Sequence, residues 1–206
     1  MRIIGLTGSI AMGKSTAARL LRRRGLFVHD ADAAVHRMLA PGGAAVAAVD
    51  AAFPGVVRGG AVDRQALGAR VFGDAAALGR LEQILHPLAQ ASARDFVACH
   101  ARRRARAVVL DIPLLFETQA EKRLDAVVVV SAPAWLQRAR VLRRPGMTEA
   151  RLAAILGRQT PDREKRRRAD AVVTSAQGVA RTWIELGRAL RRLSASPAIV
   201  WRPGWR

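Results

Sequence analysis

The chain has 206 residues, 50% of them hydrophobic, with one cysteine and a formal charge of +19. A chain of this size accommodates one core domain with an appendage and buries about 70% of its unfolded surface, so a disulfide-stapled miniprotein is excluded. Cys99 has no internal partner to bridge, and a reducing, cytoplasmic setting is expected.

The opening MRIIGLTGSIAMGKST interrupts its short apolar run at once with Gly, Thr, Ser and Lys, unlike a secretory or transit signal, and reads as mature structure. Arg2 to Thr7 is a short buried strand, Lys14 to Arg24 a helix ended by Gly25, and Leu26 to His29 a second strand. Strand, loop, helix and strand within the first thirty residues begin a parallel α/β sheet, because such a crossover needs an intervening helix. From Ala31 to about His100 the pattern is helical with little strand character, broken at Pro41-Gly42-Gly43, Pro54-Gly55 and Gly59-Gly60. Asp63 and Asp74 are placed there as helix N-caps. Ala107 to Ile112 and Asp125 to Val130 return as buried strands. Ser131 is placed as the cap of the next helix, with Pro133 in its first turn. Arg143-Arg144-Pro145-Gly146 ends that helix, and another begins near Thr148. Ala169 to Val173 is the fifth strand and Val179 to Leu193 the last helix. The tail 194–206 carries two tryptophans and no period, and is expected to be disordered or to serve as a docking strand. No run approaches 18 uninterrupted apolar residues, so no membrane span is expected.

The charge invites a polynucleotide partner. It comes, however, from 32 arginines and only three lysines in an alanine-rich chain without tyrosine, and 4% aromatics leave few platforms for stacking bases. No dedicated nucleic-acid partner is expected, while the charge attracts a small anionic nucleotide. His29, His36 and His100 show no metal-ligand spacing and are expected to pack or cap.

Gly8-Ser9-Ile10-Ala11-Met12-Gly13-Lys14-Ser15 fits GxxxxGK[ST], the phosphate-binding P-loop, between a predicted strand and a predicted helix. The glycines let backbone N–H groups curl around phosphate oxygens, and the helix N-terminus adds partial positive charge. Lys14 reaches the β and γ phosphates, and the Ser15 hydroxyl can ligate Mg²⁺. No Asp is followed three residues later by Gly and no Asn-Lys-x-Asp occurs, so the GTPase signatures are missing. The nearest carboxylates are expected to be Asp30 and Asp32, at the carboxyl end of the second strand, where open α/β sheets bind ligands. One of them accepts the acceptor hydroxyl's proton or helps hold Mg²⁺; the competing role is capping of the next helix.

Several segments in order resemble the dephospho-CoA kinase family: GLTGSIAMGKST, Asp30-Ala31-Asp32, Leu85-His86-Pro87-Leu88, Asp111-Ile112-Pro113-Leu114-Leu115-Phe116-Glu117, Gln137 with Arg140 and Arg144, and Gln159, Lys165 and Ala169-Asp170. The resemblance implies a three-layer α/β P-loop kinase with a parallel sheet, a helical substrate-binding insertion and a lid. The core would be residues 1–30 and 105–193, with the lid at about 117–165, and the acceptor-binding region 31–104. It implies ATP-dependent phosphorylation of the ribose 3'-hydroxyl of dephospho-CoA. Asp32 then matches the base, with Lys14 and Arg140 as catalytic partners. Gly8, Ser9, Ile10, Ala11, Met12, Gly13, Lys14, Ser15, Thr16 and Arg144 fall to ATP. His86, Pro113, Leu114, Leu115 and Glu117 fall on the acceptor side, and Ser15, with Asp32 as second candidate, on Mg²⁺. The family's Asn shortly before a Gly is replaced here by Thr174-Ser175-Ala176-Gln177-Gly178. A kinase of another small acceptor, such as a nucleoside monophosphate, and a polynucleotide-tracking ATPase are the alternatives, and the Asp-Ile-Pro-Leu-Leu-Phe-Glu segment favours neither.

Overall fold

The computed structural model describes residues 1–195; the tail expectation for 194–206 lies almost wholly outside them, only Ser194 and Ala195 being placed, at a helix end. In chain order the elements are β1 (Arg2–Thr7), α1 (Lys14–Arg23), β2 (Phe27–Asp30), α2 (Ala31–Leu39), α3 (Val46–Ala52), β3 (Val57–Arg58), β4 (Ala61–Val62), α4 (Arg64–Val71) and α5 (Ala75–Arg102). They continue as β5 (Ala107–Asp111), a 3-10 turn at Ala120–Arg123, β6 (Ala126–Ser131), α6 (Ala134–Leu142), α7 (Glu149–Gly157), α8 (Asp162–Arg168), β7 (Ala171–Thr174) and α9 (Gly178–Ala195). Two compact units result: Met1–His29 with Cys99 onward, and Asp30–Ala98. The division falls inside α5 rather than after it.

The first unit carries a five-stranded sheet in the order β2-β5-β1-β6-β7, with β1 parallel to both β5 and β6, and β6 parallel to β7. Period-two alternation explains its two faces. On β6, Ala126, Val128 and Val130 join Ile4 and Leu6 of β1 against Ala17, Leu20 and Leu21 of α1 and Leu186 of α9, whereas Val127 and Val129 point to the opposite face and meet Leu115 and Phe116. Strands so covered on both faces read as continuous apolar runs, which is why Ala126–Val130 was legible. β6 lies inside the stretch 117–165 expected as a lid, yet it is buried throughout and paired on both sides, so that part of the stretch belongs to the sheet. Ser131 closes β6 instead of capping α6; Pro133 occupies that cap position, and the Ser131 hydroxyl donates to Asp162 Oδ2 at 2.7 Å.

The second unit has its own core, in which Leu39, Val49, Phe53, Val56, Val62, Leu67 and Leu81 pack together. Asp63 and Asp74 cap their helices as the sequence suggests, each accepting two backbone N–H bonds. The expectation of little strand character needs one correction. β3 and β4 form a small antiparallel hairpin around Gly59 and Gly60, both at positive φ, the turn conformation that matches strand twist and that two glycines supply without strain.

At the carboxyl end of β1 the chain has no room for a side chain. A Cβ on Gly8 would lie 2.5 Å from the Val130 carbonyl oxygen of β6, and that oxygen belongs to a buried strand that cannot retreat. Gly8→Ala is expected to cost about 1–3 kcal/mol of stability through overpacking, read as a lowered midpoint in urea denaturation.

Candidate active site

The loop from Gly8 to Gly13 joins β1 to α1 and is held from several sides. Gly13 precedes α1 at φ 89, and a Cβ there would approach Ser175 Oγ to 2.9 Å, so both backbone conformation and space call for glycine. Ala11 also adopts a left-handed conformation, φ 58. For a residue with a side chain this costs on the order of 1–2 kcal/mol and persists only where neighbours enforce it. The enforcing contacts are specific. Gln137 Nε2 donates to the Ile10 carbonyl at 2.9 Å, Arg140 Nη1 to the Ala11 carbonyl at 3.3 Å, and Ser175 Oγ to the Met12 carbonyl at 2.7 Å. The Ile10 N–H donates to Gln159 Oε1 at 3.1 Å, and the Ala132 N–H reaches the buried Met12 sulfur at 3.1 Å.

Lys14 opens α1, and its ammonium lies 2.6 Å from Asp111 Oδ1, the last residue of β5. The sheet order makes this contact: β5 pairs with β1 so that Asp111 stands opposite Leu6, one residue before β1 ends. Asp111 is buried and Lys14 nearly so. Asp111 lies in a segment the sequence marks, yet it was not singled out as a site residue; the signal available was an acidic residue closing an otherwise apolar strand. Ser15 is exposed on the first turn of α1 and Thr16 half-buried behind it. Ser9 and Met12 are buried, so they serve the loop through backbone and packing.

Arg140 sits on the loop itself. Besides Ala11 it donates from Nη1 to Ser175 Oγ at 2.8 Å and from Nη2 to the Ser175 carbonyl at 2.9 Å. Arg144, one turn on, is exposed. In the segment after β5, the Pro113 carbonyl accepts from Thr7 Oγ1 at 3.1 Å and Leu114 is exposed. Leu115 is wholly buried in the core, so its side chain is a packing element. Glu117 Oε1 accepts from the Thr160 N–H at 2.7 Å and lies 2.9 Å from Lys165 Nζ, an ammonium with 0% exposure.

The remaining expected residues belong to the second unit. Asp30 is spent on its helix, its Oδ1 accepting from the Ala33 N–H at 2.9 Å, whereas Asp32 is exposed in the first turn of α2. His86 is exposed on α5, just before Pro87 inside that helix. Of the other histidines, His100 stacks on Phe27 with centroids 3.9 Å apart and His36 contacts Arg64. Among the described residues no group of three or more His, Cys, Asp or Glu could hold a metal ion by itself, and no helix is long and apolar enough to cross a membrane.

This loop places a lysine at the head of a helix beside a strand-end carboxylate, within a parallel sheet. The sequence profile of the dephospho-CoA kinase family matches residues 2–180. The chain belongs to that family. It is 70% identical to the dephospho-CoA kinase of Paramagnetospirillum magneticum over 81% of this chain and 78% of that one. It is 57% identical to that of Rhodospirillum rubrum over 99% and 97%. Among solved structures it is similar to the TT1252 protein of Thermus thermophilus, with a TM-score of 0.81 at 35% identity over 95% of this chain and 98% of that one. The kinase fold inferred from the sequence is therefore the one observed.

The Glu117 carboxyl titrates below the ordinary glutamate value of 4.5: burial pushes it up, and hydrogen bonds from Lys165 and the Thr160 N–H, with the lysine's charge, outweigh that. A depressed carboxyl stabilises the fold above its unfolded value and ceases to do so as pH falls through the folded one. At neutral pH Glu117→Gln is expected to be destabilised by about 3–5 kcal/mol, because it leaves the Lys165 ammonium buried and unpaired. The gap between wild type and variant should narrow as the pH is lowered below 4.5, which denaturation at a series of pH values measures.

Proposed function

We propose that Lys14, Asp32 and Arg140 carry the phosphoryl transfer of this kinase, with Gly8 to Thr16 holding ATP. The activity is that of the family: an ATP-dependent transfer to the ribose 3'-hydroxyl of dephospho-CoA, giving coenzyme A. The observation that carries the site reading is the Lys14 ammonium at the head of α1, 2.6 Å from Asp111 and beside a glycine-bounded loop. An ammonium has three donors; one goes to Asp111, and the others are available to β and γ phosphate oxygens. Backbone N–H groups of the loop and the α1 N-terminus add preorganised positive potential where charge develops.

Arg140 stands at the lip of the same loop, and its guanidinium retains donors beyond those given to Ala11 and Ser175, which suits bidentate binding of a phosphoryl group. Arg144 is its candidate companion in a lid formed by α6 and α7. Mg²⁺ fits the donor set when carried in with the nucleotide, since it is bound through one or two protein oxygens plus substrate phosphates, and the Ser15 hydroxyl and the carboxylates of Asp111 or Asp32 are of that type. When bound, it neutralises phosphate charge.

Asp32 is the candidate base. Its carboxylate is exposed and makes no hydrogen bond or ion pair among the described residues, two positions beyond the end of β2, while Asp30 is occupied as a cap. His86, Pro113 and Leu114 are proposed for the acceptor side, the first on α5 and the others in the segment just beyond β5. Coenzyme A formation from dephospho-CoA and ATP tests the substrate, with nucleoside monophosphates and polynucleotides as separate additions. Asp32→Asn keeps the shape but removes the base, and is expected to slow single-turnover transfer by about 10² to 10⁴ with ATP affinity little changed. Asp30→Asn should instead lose about 1 kcal/mol of stability, the value of a cap. Normal turnover by the Asp32 variant with a dead Asp30 variant would reverse the assignment.

A further inference from the structure

Ile10 of the P-loop is gripped at both backbone polar groups by side chains from two separate elements, Gln137 of α6 and Gln159 beyond α7. Its N–H donates to Gln159 Oε1 and its carbonyl accepts from Gln137 Nε2, while the next carbonyl, that of left-handed Ala11, accepts from Arg140. A non-glycine residue in that conformation is kept there by its surroundings, and here Gln137 and Arg140 hold the peptides on either side of it, while Gln159 holds the peptide before Ile10. Gln159 is itself placed by a second set of contacts. The adjacent Thr160 N–H donates to Glu117 Oε1 at 2.7 Å, and the same oxygen meets fully buried Lys165 at 2.9 Å. Asp162, two residues on, accepts from Ser131 at the end of β6. A buried ion pair is weak evidence of net stabilisation. Its geometric effect is direct, because it fixes the carboxylate that receives the backbone next to Gln159.

We infer that Gln159 is a positioning residue for phosphoryl transfer, holding the Ile10 amide so that the P-loop keeps its phosphate-binding shape, and that Glu117, fixed by Lys165, is the post that sets Gln159. Glu117 then acts on the nucleotide side of the reaction, through the backbone, and does not contact the acceptor. The inference rests on the P-loop being the ATP site proposed above.

Three variants separate the parts. Gln159→Met removes the acceptor from Ile10. The pair Glu117→Gln with Lys165→Met removes both buried charges but keeps an oxygen for the Thr160 N–H, whereas Glu117→Leu with Lys165→Met removes that oxygen as well. Misplacement of reacting groups by a fraction of an ångström is costly, so Gln159→Met is expected to lose about tenfold in kcat/KM for ATP, with KM for dephospho-CoA unchanged. The Gln/Met pair should stay within about threefold of wild type, the Leu/Met pair should repeat the Gln159→Met loss, and combining the two should add nothing further, since both break one linkage. Wild-type kinetics in Gln159→Met, a loss in the Leu/Met pair that appears in KM for dephospho-CoA, or losses that multiply would each overturn the inference while leaving the kinase reading intact. If the Leu/Met pair does not fold, Gln159→Met decides alone: an ATP-side loss supports the inference and wild-type kinetics overturn it. Absence of ATP binding by the wild-type protein in calorimetry would overturn both.

Discussion

The loop proposed to hold phosphate depends on the absence of side chains where β1 runs into α1. Val130 of β6 and Ser175 after β7 press against the loop so closely that a Cβ at Gly8 or Gly13 would meet them at 2.5 and 2.9 Å. That closeness lets the backbone be held by its own polar groups. The Met12 and Ile10 carbonyls and the Ile10 N–H are each claimed by a side chain from a different part of the chain. A loop free to move could present N–H groups to a phosphate only after ordering itself. A loop gripped in this way has already lost that freedom before nucleotide arrives, which is the condition for electrostatic preorganisation.

What could be read in the sequence was what depends on near neighbours. The P-loop, the apolar strands, the caps at Asp63 and Asp74 and the helix start near Thr148 follow from local chemistry, and the strands of the five-stranded sheet agree with the expected ones to within one or two residues. The five-stranded sheet was legible because strands covered on both faces are apolar throughout. Segment resemblance supplied the family, which composition and period alone did not. The β3–β4 hairpin escaped because strands of two residues carry no period, although Gly59-Gly60 marked its turn.

Roles set by tertiary neighbours were hidden. Asp111 is 97 positions from Lys14, and only the placement of β5 beside β1 makes them partners. Ser131 has the right residue type for a cap, but its hydroxyl is claimed by Asp162, and the strand continues through it. Leu115 sits in the same short segment as Leu114, yet one is core and the other exposed. Lys165, one of only three lysines, belongs to the positions that resemble the family, but its full burial is not legible from sequence until Glu117 is seen beside it.

The two lysine–carboxylate pairs of the first unit illustrate how a chain of charge +19 keeps electrostatics local. The surrounding arginines are mostly exposed, and at physiological ionic strength a Debye length of about 8 Å screens them from one another. They can raise the encounter rate with an anionic nucleotide, but they cannot orient it. Orientation needs a cation whose position is fixed. Lys14 is fixed by Asp111 at one donor and is nearly but not wholly buried, so it retains further donors at the head of α1. Lys165 is fixed by Glu117 in full burial, out of reach of any ligand, and so serves the backbone. The same pair chemistry therefore leaves a cation with free donors in one place and a fully buried one in the other, and exposure is what separates the two.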